Sequence, residues 1–181
     1  MAQSWRMTRT ASRPARPFDS ASLERAALDY AARYATTRAK LAAYLRRKLR
    51  ERGWEGAGAP PVDALVARFA ERGYVDDRAF AAARTDALLR RGYGRQRIGT
   101  ALRAAGIDAE TAGELGEHID AEAEAAALRF ARRKRIGPFA VGPADPALKR
   151  RWIAAMARAG HPMALVLKML DAGIDEIEFE T

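Results

Sequence analysis

The sequence predicts an all-α fold built from three tandem three-helix units. The 181 residues are 49% apolar and 30% charged, with much alanine and without the β-branched runs that strands need. An aspartate placed to cap a helix N-terminus recurs at Asp19, Asp76 and Asp145. After each of them, apolar residues recur at every fourth position, which is the spacing of one helix face. Together these patterns indicate a helical repeat.

The clearest copy of the repeat is the segment GYVDDRAFA. Its aspartate is expected to cap the following helix, and Val75 is expected to pack on Phe80 as a hydrophobic staple. The predicted structural motif comprises Gly73, Tyr74, Asp76, Asp77, Phe80 and Ala81. The equivalents are Phe18, Asp19 and Leu23 in the first copy, and the degenerate set Pro143, Asp145 and Leu148 in the third.

The first unit is predicted over 18–75, after a disordered basic tail at 1–17. Its helices are expected near 19–34, 37–52 and 61–72, the last opened by Pro60-Pro61 after the glycine-rich loop that carries Trp54. Aromatic residues at helical spacing are expected in the core rather than on the surface: Tyr44, Phe69, Tyr74, Phe80 and Trp152.

The second unit is predicted over 76–140, with helices near 77–91 and 95–105. A third, acidic helix is expected to begin near Ala109, to break near Gly113 or Gly116, and to run to about Lys134. The third unit is predicted over 141–181, with helices near 146–159 and 162–172 and an acidic C-terminal end. Because each unit is too small to bury its apolar faces alone, we expect an elongated array, straight or curved.

Several function classes lack support in this sequence. It contains no cysteine for a disulfide or thiolate site, and no apolar run near the roughly 20 residues that span a bilayer. The lack of cysteine fits a reducing cytosol, and we expect a cytoplasmic protein. The first 17 residues lack the apolar core of a secretory signal. Gly92, Gly94 and Gly99 fit turns better than a phosphate loop, and His118 and His161 fit structural or exposed positions. We therefore predict no enzyme, metal or cofactor.

Positive charge dominates the chain and is clustered. The formal net charge is +9, and three arginine-rich stretches lie at 38–52, 84–103 and 129–135, with a stretch of acids at 108–124 that has no local cation. Such separation of charge steers a basic surface toward a polyanion. We predict that the partner is bound by Arg38, Lys40, Arg46, Arg47, Arg90, Arg91, Tyr93, Arg95 and Arg97.

The segment GYVDDRAFA, with RRGYGRQRIGTALRAAGI after it and TTRAKLAAYLRRKL before it, resembles the RecX family of regulatory proteins. The resemblance covers residues 20 to 175. It implies tandem three-helix repeats that bind in the groove of the RecA–DNA filament and restrain its ATPase and strand exchange. The implied partners are a RecA-type recombinase and DNA backbone within the filament.

A second interpretation of the same pattern is a helix-turn-helix-like module that contacts the DNA backbone. Paired helices joined by short glycine-containing turns also present recognition helices to DNA. Base readout needs amide side chains beside arginine, and Gln96 is the only amide within the basic helices. Sequence-specific recognition is therefore not expected. A monomer is expected, because the chain has no long apolar heptad seam.

Overall fold

The computed structural model describes residues 16–171, and the predicted all-α fold is confirmed. The helices are α1 Ser20–Arg33, α2 Arg38–Arg52, α3 Val62–Glu71, α4 Asp77–Arg90, α5 Arg95–Ala104, α6 Ala109–Gly113, α7 Gly116–Ala121, α8 Ala123–Lys134, α9 Pro146–Arg158 and α10 Met163–Asp171, with a 3-10 turn at Gly137–Phe139. The predicted basic tail up to residue 15 and the acidic end from residue 172 lie outside the described residues.

The three predicted aspartate caps are confirmed. The carboxylates of Asp19, Asp76 and Asp145 accept hydrogen bonds from the backbone N–H three residues later, at 2.8, 2.9 and 2.6 Å. Each bond satisfies a donor that the first turn of a helix otherwise leaves without a partner. The caps therefore set where α1, α4 and α9 begin.

The first hydrophobic core lies among α1, α2 and α3. Phe69, Leu23 and Leu41 are fully buried at its centre. Trp54, which lies on the predicted glycine-rich loop, packs against this core, and its Nε1 donates to the carbonyl of Gly58 at 2.9 Å. A short parallel bridge pairs Phe18 with Trp54, and this closes the loop over the unit.

Val75 and Phe80 do not form the predicted hydrophobic staple, because they pack in different cores. Val75 is buried in the first core, whereas Phe80 is partly buried against the second core, which lies among α4, α5 and α7. Instead, the ammonium nitrogen of Lys40 lies 4.3 Å from the centroid of the Phe80 ring. The motif GYVDDRAFA thus connects two cores, because its residues divide between them.

The predicted acidic helix is broken, as expected near Gly113 and Gly116, into α6, α7 and α8. The third core includes the second half of α8. Its buried residues Ala127, Phe130 and Ala131 pack with Met156 of α9 and Val166 of α10. α8 therefore supplies a third helix to the last core. The unit boundaries at 75 and 140 stay predictions, and this packing favours a boundary within α8.

Candidate partner-binding surface

The start of α2 is attached to the second unit. Thr37 donates its hydroxyl hydrogen to the carbonyl of Ala105 at 2.6 Å in a buried position. The Asp77 carboxylate accepts from both the backbone N–H and the Nε of Arg38, each at 2.9 Å. We call these contacts the first joint. The sequence predicted Asp77 as part of the capping motif, but its side chain instead links α4 to α2.

Arg38 thus has a partner within the chain. Its side chain lies 2.9 Å from the carboxylate of Asp77 and 3.9 Å from that of Asp108. The hydrogen bond to Asp77, followed by the charge of that carboxylate, raises the pKa of Arg38 above its ordinary value. A contact between Arg38 and another macromolecule stays a prediction, and such a contact would compete with the joint.

The other predicted cations of α2 differ in their surroundings. Arg46 pairs with Asp63 at 2.5 Å and Arg47 with Glu51 at 2.7 Å, both exposed to solvent. Exposed ion pairs of this kind contribute little to stability, about 0–1 kcal/mol, so a polyanion can replace the carboxylate. Lys40 lies in a groove between the units, where burial and the neighbouring charge of Arg84 lower the pKa of its ammonium group.

The turn Gly92-Tyr93-Gly94 forms a second joint with the turn Ala159-Gly160-His161. The N–H of Gly94 donates to the carbonyl of Ala159 at 2.9 Å, and the N–H of Gln96 donates to that of Gly160 at 3.2 Å. A Cβ at Gly94 would lie 2.4 Å from the oxygen of Gly160. Glycine is therefore required here for backbone contact between units, which supports the predicted turn role over a phosphate loop.

Tyr93 lies in this second joint, partly buried. Its ring packs against both the second and the third core, with its centroid 6.4 Å from that of Phe130. The guanidinium groups of Arg91 and Arg97 each lie 5.7 Å from the centroid of the Tyr93 ring. Arg91 precedes the turn in the sequence, and Arg97 follows it. Such cation–π contacts hold the two arginines beside the joint. A partner contact by Tyr93 stays a prediction.

Arg90 and Arg95 complete the predicted set. Arg90, at the end of α4, is exposed and forms no ion pair within residues 16–171. Arg95, at the start of α5, pairs with Asp120 of α7 at 2.5 Å and also contacts the carbonyl of Gly116. The predicted cations of the second unit that are most available to another molecule are therefore Arg90, Arg91 and Arg97, which are exposed and form no ion pair with a carboxylate within residues 16–171.

The acidic stretch at 108–124 has cation partners, contrary to the interpretation from sequence. Glu114 pairs with Arg78 at 2.6 Å and Glu122 with Arg129 at 2.9 Å. Glu124 pairs with Lys168 of α10 at 2.8 Å. Arg78 and Lys168 come from helices that are distant in sequence, so local inspection could not find them, whereas Arg129 of α8 lies seven residues after Glu122. The acids partly neutralise the basic clusters and connect helices.

His161 is buried in the second joint as a neutral imidazole. Its Nε2 donates to the carbonyl of Gly92 at 3.1 Å, so Nδ1 carries the lone pair, and Nδ1 is buried without a hydrogen-bond partner. Burial lowers the pKa of His161, outweighing the Gly92 bond, which raises it. The sequence predicted that His161 is either structural or exposed, and the structure shows that it is structural.

Acidification should weaken this joint. Because the folded-state pKa of His161 lies below that of the unfolded chain, the unfolded state binds more protons and stability falls as the pH drops below about 6.5. We expect the urea midpoint to decrease from pH 7.5 to 5.5. The variant His161→Gln keeps an N–H donor and should show a smaller decrease. An equal decrease in both proteins would contradict a role of His161.

The predicted motif GYVDDRAFA includes exposed residues, and Tyr74 is one of them. Tyr74 is 51% exposed, contrary to its predicted place in the core, and its ring only leans on Phe69 with centroids 5.3 Å apart. Gly73 adopts φ +74°, the left-handed conformation that ends α3. Ala81 is fully buried. The motif is therefore partly structural and partly exposed.

The family model for the second three-helix domain of RecX matches residues 76–114, which contain α4, α5 and α6. The regulatory protein RecX of Myxococcus xanthus (strain DK1622) is 34% identical to this chain over 159 residues, which cover 83% of the chain and 84% of that protein. This chain belongs to the RecX family. The identification from the sequence motifs is confirmed.

Further relatives agree with this membership. The regulatory protein RecX of Mycobacterium sp. (strain JLS) is 30% identical over 158 residues, covering 85% of each chain. The crystal structure of RecX from Lactobacillus salivarius superposes with a TM-score of 0.63 at 16% identity, covering 83% of this chain and 96% of that one, and so shares its fold. None of the described helices is long and apolar enough to cross a membrane.

Sequence reasoning missed one set of side chains of this RecX-family chain. Tyr34, the residue after α1, lines two grooves. One groove also contains Tyr30 and Arg33 of α1, and the other contains Lys40 and Arg84. The signal was present in the sequence, since Tyr30 and Tyr34 are four residues apart and therefore share a helix face. One groove lies on the first unit, and the other arises only where the first unit meets the second.

Proposed function

We propose that this chain is a non-enzymatic regulator of homologous recombination and DNA repair that binds the RecA–DNA filament and inhibits its ATPase and strand exchange. The observation that carries the proposal is the 34% identity to a regulatory protein RecX along 83% of the chain. The proposed regulator acts in the cytoplasm as a monomer and needs no cofactor.

The two joints support a bridging mechanism. Buried or backbone hydrogen bonds attach the first unit to the second through Thr37 and Asp77, and the second to the third through Gly94. A chain whose units are held in fixed register can bind successive protomers of a filament at once. It then opposes any change in the spacing of those protomers, because the change would break contacts on one unit or the other.

The basic side chains supply the contacts in this proposal. Arg90 and Arg97 are exposed beside the second joint, and Arg46 and Arg47 form exposed ion pairs with Asp63 and Glu51. Guanidinium groups bind carboxylate and phosphate through paired hydrogen bonds, so both the protein and the DNA of a filament are suitable partners. Binding should weaken with added salt, since the partner is a polyanion.

Reversing the charge of Arg90 and Arg97 should weaken inhibition of RecA. Each lost charge-assisted contact removes binding free energy, and two reversals should raise the concentration that halves the ATPase rate by about tenfold or more. The measurement is the ATPase rate of RecA on single-stranded DNA with the double variant Arg90→Glu, Arg97→Glu titrated in, at two salt concentrations.

The matched control is Arg150→Glu with Arg151→Glu, which makes the same change of charge at two exposed positions of α9 outside the predicted contact set. We expect this control to inhibit like the wild type. Equal inhibition by the Arg90/Arg97 variant would remove those residues from the contact surface. If the wild type does not inhibit RecA but binds bare DNA tightly, the helix-turn-helix-like interpretation replaces the proposal.

A further inference from the structure

Two grooves meet at Tyr34, at the end of α1. The first, about 360 Å³, lies on the first unit and is lined by Asp29, Tyr30, Arg33, Tyr34, Tyr44, Arg47 and Lys48. The second, about 720 Å³, lies where the first unit meets α4, and its lining includes Tyr34, Lys40, Tyr74, Phe80 and Arg84. We call the four tyrosines Tyr30, Tyr34, Tyr44 and Tyr74, with the cations between them, the tyrosine surface.

The aromatic rings of this surface are arranged as a platform. Tyr30 and Tyr44 stack with centroids 4.1 Å apart and planes 15° from parallel, and Tyr34 lies against Tyr30 at 5.2 Å. Tyr34 is 58% exposed. Within residues 16–171, Tyr34 and Tyr74 are the two large aromatic side chains that are mostly exposed, and both line the same groove. Their free faces are not used by the fold.

The charges beside these rings are mainly positive. Arg33, Lys40 and Arg84 form no ion pair with a carboxylate within the described part of the chain, while Arg47 and Lys48 share Glu51. The acids of the grooves are Asp29 and Asp76, and Asp76 is already used as the cap of α4. Burial, followed by the nearby charge of Arg84, lowers the pKa of the Lys40 ammonium group. An anion placed between these two cations would relieve the repulsion from Arg84.

We propose that the tyrosine surface binds single-stranded nucleic acid, with bases stacked on Tyr34 and Tyr74 and phosphates near Arg33, Lys40 and Arg84. Exposed aromatic faces beside cations in an open groove are the combination that binds unpaired strands, because every base has a face that can stack. A duplex keeps its bases inside the helix and could use only the cations. The groove linings contain no Asn or Gln, so binding should be indifferent to base sequence.

An acidic peptide is the competing occupant, and the rings argue against it. A peptide of carboxylates would satisfy the cations but would leave the exposed faces of Tyr34 and Tyr74 without a stacking partner. The inference does not depend on filament binding, since it concerns a bare strand on the joint between the first two units. The Arg90/Arg97 variant changes a different region and should retain this binding.

The test uses the full chain and a fluorescently labelled oligothymidylate, with a mixed-sequence duplex of the same length beside it. Tyr34→Ala should weaken binding of the single strand by about tenfold, whereas Tyr34→Trp should restore it because tryptophan also stacks. Duplex binding should change little in either variant. The control Leu167→Ala removes an exposed apolar side chain of α10, outside the grooves, and should bind the single strand like the wild type.

Three further readouts decide the proposal. In Tyr34→Trp, oligothymidylate should quench more tryptophan fluorescence than it does in the wild type. The wild type gives the background, because it contains the native tryptophans alone. Polyglutamate should not displace the oligonucleotide at equal charge concentration. The proposal is overturned if Tyr34→Ala binds the single strand as well as the wild type does, if it loses duplex binding equally, or if polyglutamate displaces the strand as effectively as another oligothymidylate.

Discussion

Gly94→Ala should destabilise the protein by about 3 kcal/mol, because the new methyl group has no space in the second joint. The added Cβ would lie 2.4 Å from the oxygen and 2.6 Å from the carbonyl carbon of Gly160, and 2.8 Å from the nitrogen of His161. All three are backbone atoms, which cannot rotate away as a side chain could. Relief therefore requires the two turns to separate, which lengthens the Gly94 to Ala159 hydrogen bond.

Urea unfolding of Gly94→Ala measures this loss directly. Gly94 has φ −89°, a conformation that alanine adopts freely, so any destabilisation comes from the contact and not from backbone strain. The matched control is Gly113→Ala, where a Cβ meets no atom within 4 Å and should change stability by less than about 1 kcal/mol. Equal stability of the two variants would mean that the second joint is not packed as described.

Phe69→Ala should cost about 3–5 kcal/mol, the usual range for removing a large aromatic side chain from a core. Phe69 is 2% exposed and lies in the first core with Leu23 and Leu41. The truncation would leave a cavity that the surrounding helices fill only in part. Thermal and urea unfolding measure the loss, and retained stability would place Phe69 outside the core.

The variant Tyr74→Ala is the matched control for Phe69→Ala, because the two rings are neighbours. Tyr74 contacts the Phe69 ring, yet it is 51% exposed, so its removal should cost less than about 1 kcal/mol. The two aromatics thus separate stability from binding: truncation of Phe69 should destabilise the first unit, whereas truncation of Tyr74 should mainly weaken the proposed stacking of bases. A large stability loss in Tyr74→Ala would restore its predicted place in the core.

The sequence determined the elements of this fold, because helix caps and helix faces depend on residues three or four positions apart. Asp19, Asp76 and Asp145 cap helices as predicted, and the expected breaks near Gly113 and Gly116 are present. Family membership followed from motifs of the same kind, since GYVDDRAFA and the following RRGYG are contiguous in the chain.

The tertiary structure decided which partner each side chain has, because those partners are distant in sequence. Asp77 bonds to Arg38 across 39 positions, and His161 to Gly92 across 69. The acids at 108–124 find cations on other helices, and Val75 and Phe80 divide between two cores instead of packing together.

Local periodicity thus determined the helices and the family of this protein, whereas the joints and the tyrosine surface required the folded chain. A helix face is set by a spacing of three or four residues, which a sequence displays directly. A joint is set by two turns whose backbones approach within hydrogen-bond distance, and nothing in the local pattern of either turn specifies the other. Gly94 and Gly160 are ordinary turn glycines in the sequence, and only their contact makes both of them necessary.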